Sequence, residues 1–178
     1  MPTDRVLYLL GSAAPPVLAL PPVIKQAQAA GWDVCLGLSP TAADWLADDL
    51  GALESLTGHP VRHRHRRPGQ VDPWPPAAVA LVAPATFNTI NSWALGLTSS
   101  FIVGFAAEAI GKRIPLVTMP CVNSALASHP QFGRSVDVLR DAGVRVLLGD
   151  GGFIPNAPGQ GQPGAFPWER ALAVVRDT

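Results

Sequence analysis

The stretch Ala78 to Gly104, AVALVAPATFNTINSWALGLTSSFIVG, limits most sharply what this chain can fold into. It opens with Val79 to Val82, an unbroken apolar run of the kind found in a strand covered on both faces. The run breaks at Pro84 into small hydroxyl and amide residues, Ala85, Thr86, Asn88 and Thr89. Ile90, Trp93, Ala94 and Leu97 then recur at helical spacing, and Gly96 marks a helix end. Thr98, Ser99 and Ser100 are candidate caps for a second helix reaching Gly111. A buried strand that hands over to small polar residues at a helix start is how an open parallel sheet builds a polar ligand site. The same pattern also describes a plain strand-to-helix turn with a good cap.

The pattern recurs along the chain. Arg5 to Leu10 reads as a first strand, followed by Gly11-Ser12-Ala13-Ala14, where glycine permits close backbone approach and the serine can donate to a phosphate or cap a helix. Pro21 and Pro22 suit the first turn of a helix that ends before Gly31. Trp32 to Leu38 is a second strand, and Ser39 or Thr41 is either the cap of a helix running to Leu50 or a ligand contact. His59 to Pro76 has no periodicity and reads as a long surface connection. Ile114 to Met119 is a fourth strand, ending in Pro120-Cys121-Val122-Asn123-Ser124. A helix from Ser124 is interrupted at His129-Pro130; Ser135 to Ala142 is a further helix closed by Gly143. Val144 to Leu148 is a fifth strand, 149–167 is dense in Gly and Pro, and Trp168 to Val175 is a terminal helix.

Charge and cysteine usage narrow the function. Thirteen Lys plus Arg balance thirteen Asp plus Glu over 178 residues, so no net field draws nucleic acid or an anionic membrane. Arg62-His63-Arg64-His65-Arg66-Arg67 is a basic cluster without interleaved aromatics, better suited to a solvated loop than to a nucleic-acid patch. No apolar run approaches the roughly 20 residues that span a bilayer, and Met1 to Arg5 leads into a strand with no signal peptide visible, so a cytoplasmic protein is expected. Cys35 and Cys121 have no metal-ligand spacing. Neither a Walker lysine nor an acid placed for a dinucleotide ribose is present, which argues against ATP and NAD. Four neutral turns at one sheet edge suit a phosphate-bearing ligand held by hydrogen bonds and helix dipoles, and a flat cofactor such as FMN suits the small residues Ala83 to Asn88.

These residues resemble the homo-oligomeric flavin-containing cysteine decarboxylases. Pro84-Ala85-Thr86-Phe87-Asn88-Thr89 is similar to the family's P-A-S-A-N-T flavin motif, and the likeness continues through Ile90-Asn91, Ala94 and Gly96. Gly11-Ser12-Ala13 looks like the first phosphate turn, and Ser39-Pro40-Thr41-Ala42-Ala43 like the second. Pro120-Cys121-Val122-Asn123 resembles the P-x-M-N substrate motif, with Val122 in place of Met. The resemblance implies one α/β domain over 1–178 with a Rossmann-like (flavodoxin-like) doubly wound parallel sheet. It also implies FMN at a subunit interface of a homotrimer or homododecamer. Gly11, Ser12, Ala13, Ser39, Thr41, Ala83, Pro84, Ala85, Thr86, Asn88, Thr89, Ser99 and Ser100 would hold the cofactor. Asn123 would hold the carboxylate of a small-molecule or peptidyl-cysteine substrate.

The chain departs from the family at several positions. The catalytic His, counted back from the flavin motif, falls on Gln70, with His65 and His63 a few residues earlier; His65 is the candidate base. Leu126-Ala127 stands for the M-W after the substrate Asn, Ser99-Ser100 for an Asp-Asn, and Pro158 for the cysteine of the coenzyme A enzyme's A-C-G segment. Cys121 is either a redox or nucleophilic group or a buried filler, and His129 packs or caps. The expected chemistry is oxidative decarboxylation of a cysteine-derived thiol. A flavin-binding redox protein without that activity and a flavin prenyltransferase are the alternatives.

Overall fold

A computed structural model describes residues 5–178; Met1 to Asp4, on which the expectation about a signal peptide falls, lie outside the described residues. The apolar runs form an all-parallel sheet of β1 (Val6–Gly11), β2 (Asp33–Leu38), β3 (Val79–Ala85), β4 (Leu116–Pro120) and β5 (Arg145–Val146), in the order β2-β1-β3-β4-β5. That order is the flavodoxin-like doubly wound arrangement, whose switch point falls between β1 and β3. The sequence lacks alternation because both faces are covered. Leu7 and Leu9 face one apolar layer while Val6, Tyr8 and Leu10 face the other. Each fully buried leucine contributes about 1.5–3 kcal/mol.

Helices α1 (Leu20–Ala29), α2 (Pro40–Trp45), α3 (Leu50–Thr57) and α8 (Trp168–Arg176) pack on the first face. Helices α4 (Phe87–Ala94), α5 (Phe101–Gly111) and α7 (Pro130–Asp141) cover the second, and the short α6 (Ser124–Ala127) stands at the end of β4. Pro21 and Pro22 occupy the first turn of α1, as their missing N–H groups require. Pro115 sits just before β4, and Gly96, at φ 72°, follows α4. β2 passes so close to α5 that a Cβ on Gly37 would lie 2.6 Å from Leu10 Cδ2 and 3.2 Å from the Phe101 ring.

Beyond shifts of one or two residues at other strand ends, four elements differ from the sequence expectation. The helix expected to run to Leu50 stops at Trp45; a new helix, α3, starts at Leu50 and ends at Gly58, φ 73°. The break turns the chain so that Leu46 and Leu53 are both buried while Trp45 stays out. β3 runs through Pro84 to Ala85, with a register shift between Val82 and Ala85. α7 begins at Pro130, ahead of Ser135, because His129 Nδ1 accepts the Gln131 N–H and caps it. β5 keeps two residues: the Leu147 N–H still donates to Thr118 O of β4, but the Leu147 carbonyl accepts the Phe153 N–H and Leu148 bridges to Phe153.

Candidate functional site

All the polar turns lie at the C-terminal edge of the sheet and are tied to one another. Gly11 ends β1 where a Cβ would lie 3.0 Å from Val17 Cγ2. The Ser39 N–H donates to Gly11 O (2.9 Å), joining the second turn to the first. The Ser12 N–H and hydroxyl both donate to Pro84 O, at 3.0 and 2.7 Å, and Ser12 Oγ accepts the Thr86 N–H at 3.0 Å. The Cys121 N–H donates to Ala85 O at 2.8 Å, and the Ser124 N–H to Asn156 O at 2.7 Å. The result is one continuous rim running from β2 through β1, β3 and β4 to the C-terminal segment.

Three of the four turns also cap a helix. Ser39 Oγ accepts the Ala42 N–H, Thr86 Oγ1 the Thr89 N–H, and Asn123 Oδ1 the Leu126 N–H. The Thr86 and Thr89 hydroxyls share a further bond of 2.9 Å. These are the satisfied N-caps that the residue types favour. Capping takes the Asn123 carbonyl oxygen and leaves its two amide protons to donate.

The rim opens on a cleft of about 510 Å³, within the range of small-molecule sites. Among the residues expected from sequence, Ala13, Thr86, Asn88, Cys121 and Asn123 line it together. Gly11, Ser12, Ala83, Pro84, Ala85 and Thr89 are buried behind it as a floor. Ser39 and the exposed Thr41 stand at the adjoining turn. Ser99 and Ser100 do not line the cleft; Ser100 caps α5 through the Val103 N–H (3.5 Å), and Ser99 is exposed beside it. The far wall was not expected. Phe153, Asn156, Gln162, Pro163 and Phe166 come from the Gly- and Pro-rich segment before α8. Only its two amide side chains stand out in the sequence, and nothing there says which way they face.

Among the described residues, no Lys, Arg, His, Asp or Glu lines the cleft. Burial pushes the Cys121 thiol up to about 11, so at neutral pH it is a protonated neighbour and not an activated nucleophile. Among the described residues, no group of three or more His, Cys, Asp or Glu is placed to hold a metal, and no helix is long and apolar enough to cross a membrane.

His65 lies elsewhere, lining a second cavity of about 810 Å³ against α5, its ring 6.5 Å from that of Phe101. The long 59–77 connection reaches it by running beside β2, where the Leu38 N–H donates to Arg62 O at 2.8 Å and the Arg62 N–H to Leu36 O at 3.1 Å. The Arg62 guanidinium is held over the Phe101 ring at 3.9 Å and the Trp74 ring at 4.9 Å, and donates to both oxygens of Asp72. The basic cluster therefore starts with a clamped arginine. His65 and Asn123 do not meet within one chain.

Neutral donors, a helix N-terminus and an opening walled by small residues and aromatic rings fit a flat cofactor carrying one phosphate. Comparison with solved structures gives the same architecture. The FMN-dependent cysteine decarboxylase SpaF is 24% identical over 96% of each chain, with a TM-score of 0.68. The FMN-dependent cysteine decarboxylase TvaF from thioviridamide biosynthesis is 20% identical over 97% of this chain and 96% of that one, at 0.73. AnUbiX in complex with FMN and dimethylallyl pyrophosphate is 13% identical over 98% and 93%, at 0.71. At such identities the likeness establishes the fold. No curated protein sequence matches the chain. The sequence does match a family model described as Flavoprotein over residues 3–171, nearly its whole length, and the chain belongs to the Flavoprotein family.

Proposed function

We propose that this protein binds FMN and decarboxylates the C-terminal cysteine of a peptide oxidatively. The observation that carries the reading is the convergence of Thr86, Asn88 and Asn123 on one neutral cleft at the sheet's switch point. Ser39 and Thr41 would hold the phosphate, with the backbone at Gly11 and Ala13. Ala83 to Ala85 and Thr89 form the floor, and Thr86 and Asn88 offer the start of α4. Bound there, FMN supplies the two-electron acceptor for oxidation of the cysteine side chain to a thioaldehyde, from which the carboxylate leaves as carbon dioxide.

The chain's own residues bind and orient. Asn123 donates its amide protons to the substrate carboxylate, in a rotamer locked by the Leu126 N–H. Asn156 and Gln162 are placed for peptide amides, while Phe153 and Phe166 exclude water. His65 as the thiol base requires a second copy, because it lines a different cavity from Asn123; a homotrimer, or a homododecamer of trimers, belongs to the same reading. Ser99 and Ser100 depend on such a contact as well. Cys121, a neutral thiol, is left as packing.

A flavin prenyltransferase would hold a diphosphate beside the cofactor's phosphate, and among the described residues no cation lines the cleft to receive it. The test is to purify the protein and incubate it with a peptide ending in cysteine. A flavin absorbance spectrum and a mass loss of carbon dioxide plus two hydrogens are expected. Flavin uptake with an unchanged peptide would leave a redox protein of other chemistry; no uptake at all would end the flavin reading.

A further inference from the structure

We infer that Ser12 is a positioning residue: its hydroxyl latches the flavin-facing turn of β3 in place and is not itself a phosphate ligand. The assignment rests on the flavin reading of the cleft and adds a division of labour between two serines that look equivalent in the sequence.

Ser12 is 1% exposed. Its single hydroxyl proton goes to Pro84 O at 2.7 Å, and its oxygen receives the Thr86 N–H at 3.0 Å. Those partners lie 72 and 74 residues away, so one side chain joins the first turn to the third. Thr86 is the extended cap residue of α4, at φ −71° and ψ 166°, and its own oxygen accepts the Thr89 N–H. An N-cap residue's N–H has no partner inside its helix, so Ser12 Oγ is what satisfies it. A phosphate oxygen is an acceptor and would need the proton already given to Pro84, on a side chain that solvent does not reach.

Ser39 is built the opposite way. Its oxygen only accepts, from the Ala42 N–H at 3.3 Å, it is half-buried at the open rim, and its proton is uncommitted. The Ser39 N–H donates to Gly11 O, which seats it beside the first turn.

The test titrates apoprotein with FMN and with riboflavin, which lacks the phosphate, in Ser12→Ala and Ser39→Ala. Ser12→Ala should weaken both flavins by a common factor of about ten, the worth of one hydrogen bond. Ser39→Ala should weaken FMN by a similar factor and leave riboflavin within about twofold. Hydrogen exchange of the apoprotein is read alongside: the Thr86 amide should exchange faster in Ser12→Ala and unchanged in Ser39→Ala. Selective loss of FMN in Ser12→Ala, or unaltered Thr86 exchange, overturns the latch. If wild type takes up neither flavin, the flavin reading fails and Thr86 exchange alone decides the latch. If it takes up FMN only, the same exchange measurement decides.

Discussion

Replacing Asn123 separates its two jobs. Its Oδ1 caps α6 by accepting the Leu126 N–H at 2.9 Å, and its Nδ2 is free to donate into the cleft. Asn123→Ala removes both. Loss of an N-cap costs about 1 kcal/mol, which for a chain of this size lowers Tm by about 2–4 °C. Loss of hydrogen bonds to a substrate carboxylate costs about 1.5–3 kcal/mol, or roughly 10- to 150-fold in kcat/KM. Asn123→Asp keeps the cap acceptor and discards the donors. It also sets a carboxylate against the substrate's own, a repulsion of about 4 kcal/mol at 4 Å and an effective dielectric of about 20. The two variants should therefore exchange rank between assays: Asn123→Asp melts close to wild type but turns over more slowly than Asn123→Ala, whose Tm is lower. Thermal melts and peptide decarboxylation followed by mass spectrometry read the pair. Turnover by Asn123→Asp equal to or above that of Asn123→Ala would refute the carboxylate assignment.

Other outcomes follow from burial and geometry. Only the thiolate alkylates, and the Cys121 thiol is pushed up to about 11; iodoacetamide labelling should be slow at pH 7.5 and rise about tenfold per pH unit towards pH 10, read by peptide mass. A pH-independent rate would contradict the burial argument. Arg62→Ala leaves Asp72 with Arg66 and the Trp74 N–H and removes the guanidinium from Trp74 and Phe101, so a loss of about 1–3 kcal/mol in urea unfolding is expected, with faster proteolysis of the 59–77 connection. Gly152→Ala drives a Cβ into the Leu147 backbone, where no side chain can move aside. About 2–4 kcal/mol of stability should go, along with the seating of the cleft's far wall, as a shift in urea midpoint and weaker flavin uptake.

The sheet was legible because the buried strands carry no polar alternation: Val6 to Leu10 and Val79 to Val82 have nowhere to go but between two layers. The caps at Ser39 and Ser100 were legible because a cap is local chemistry, whereas Thr86 and Asn123 were read as polar residues beside a helix start and not as its caps. Helix α3 was not, since Gly51, Ser55 and Thr57 blur its period, and it is the burial of Leu53 against the first layer that makes it helical. The cleft's far wall escaped for a different reason. Phe153 and Phe166 sit in a segment with no period, and their direction is set by backbone bonds such as Gly149 N–H to Phe153 O. The placement of His65 depends on the Arg62 clamp, a tertiary arrangement of Asp72, Trp74 and Phe101 that spacing along the chain does not encode.

Every strand delivers the chain to the same edge before it turns back, so this protein keeps what it recognises apart from what keeps it folded. Val122, Leu126 and Pro158 all lie outside the five strands, and a lineage could trade such residues while the leucines between the layers stay as they are. The architecture thus works as a chassis with interchangeable fittings, in which a change beyond the strand ends can alter appetite without endangering the frame.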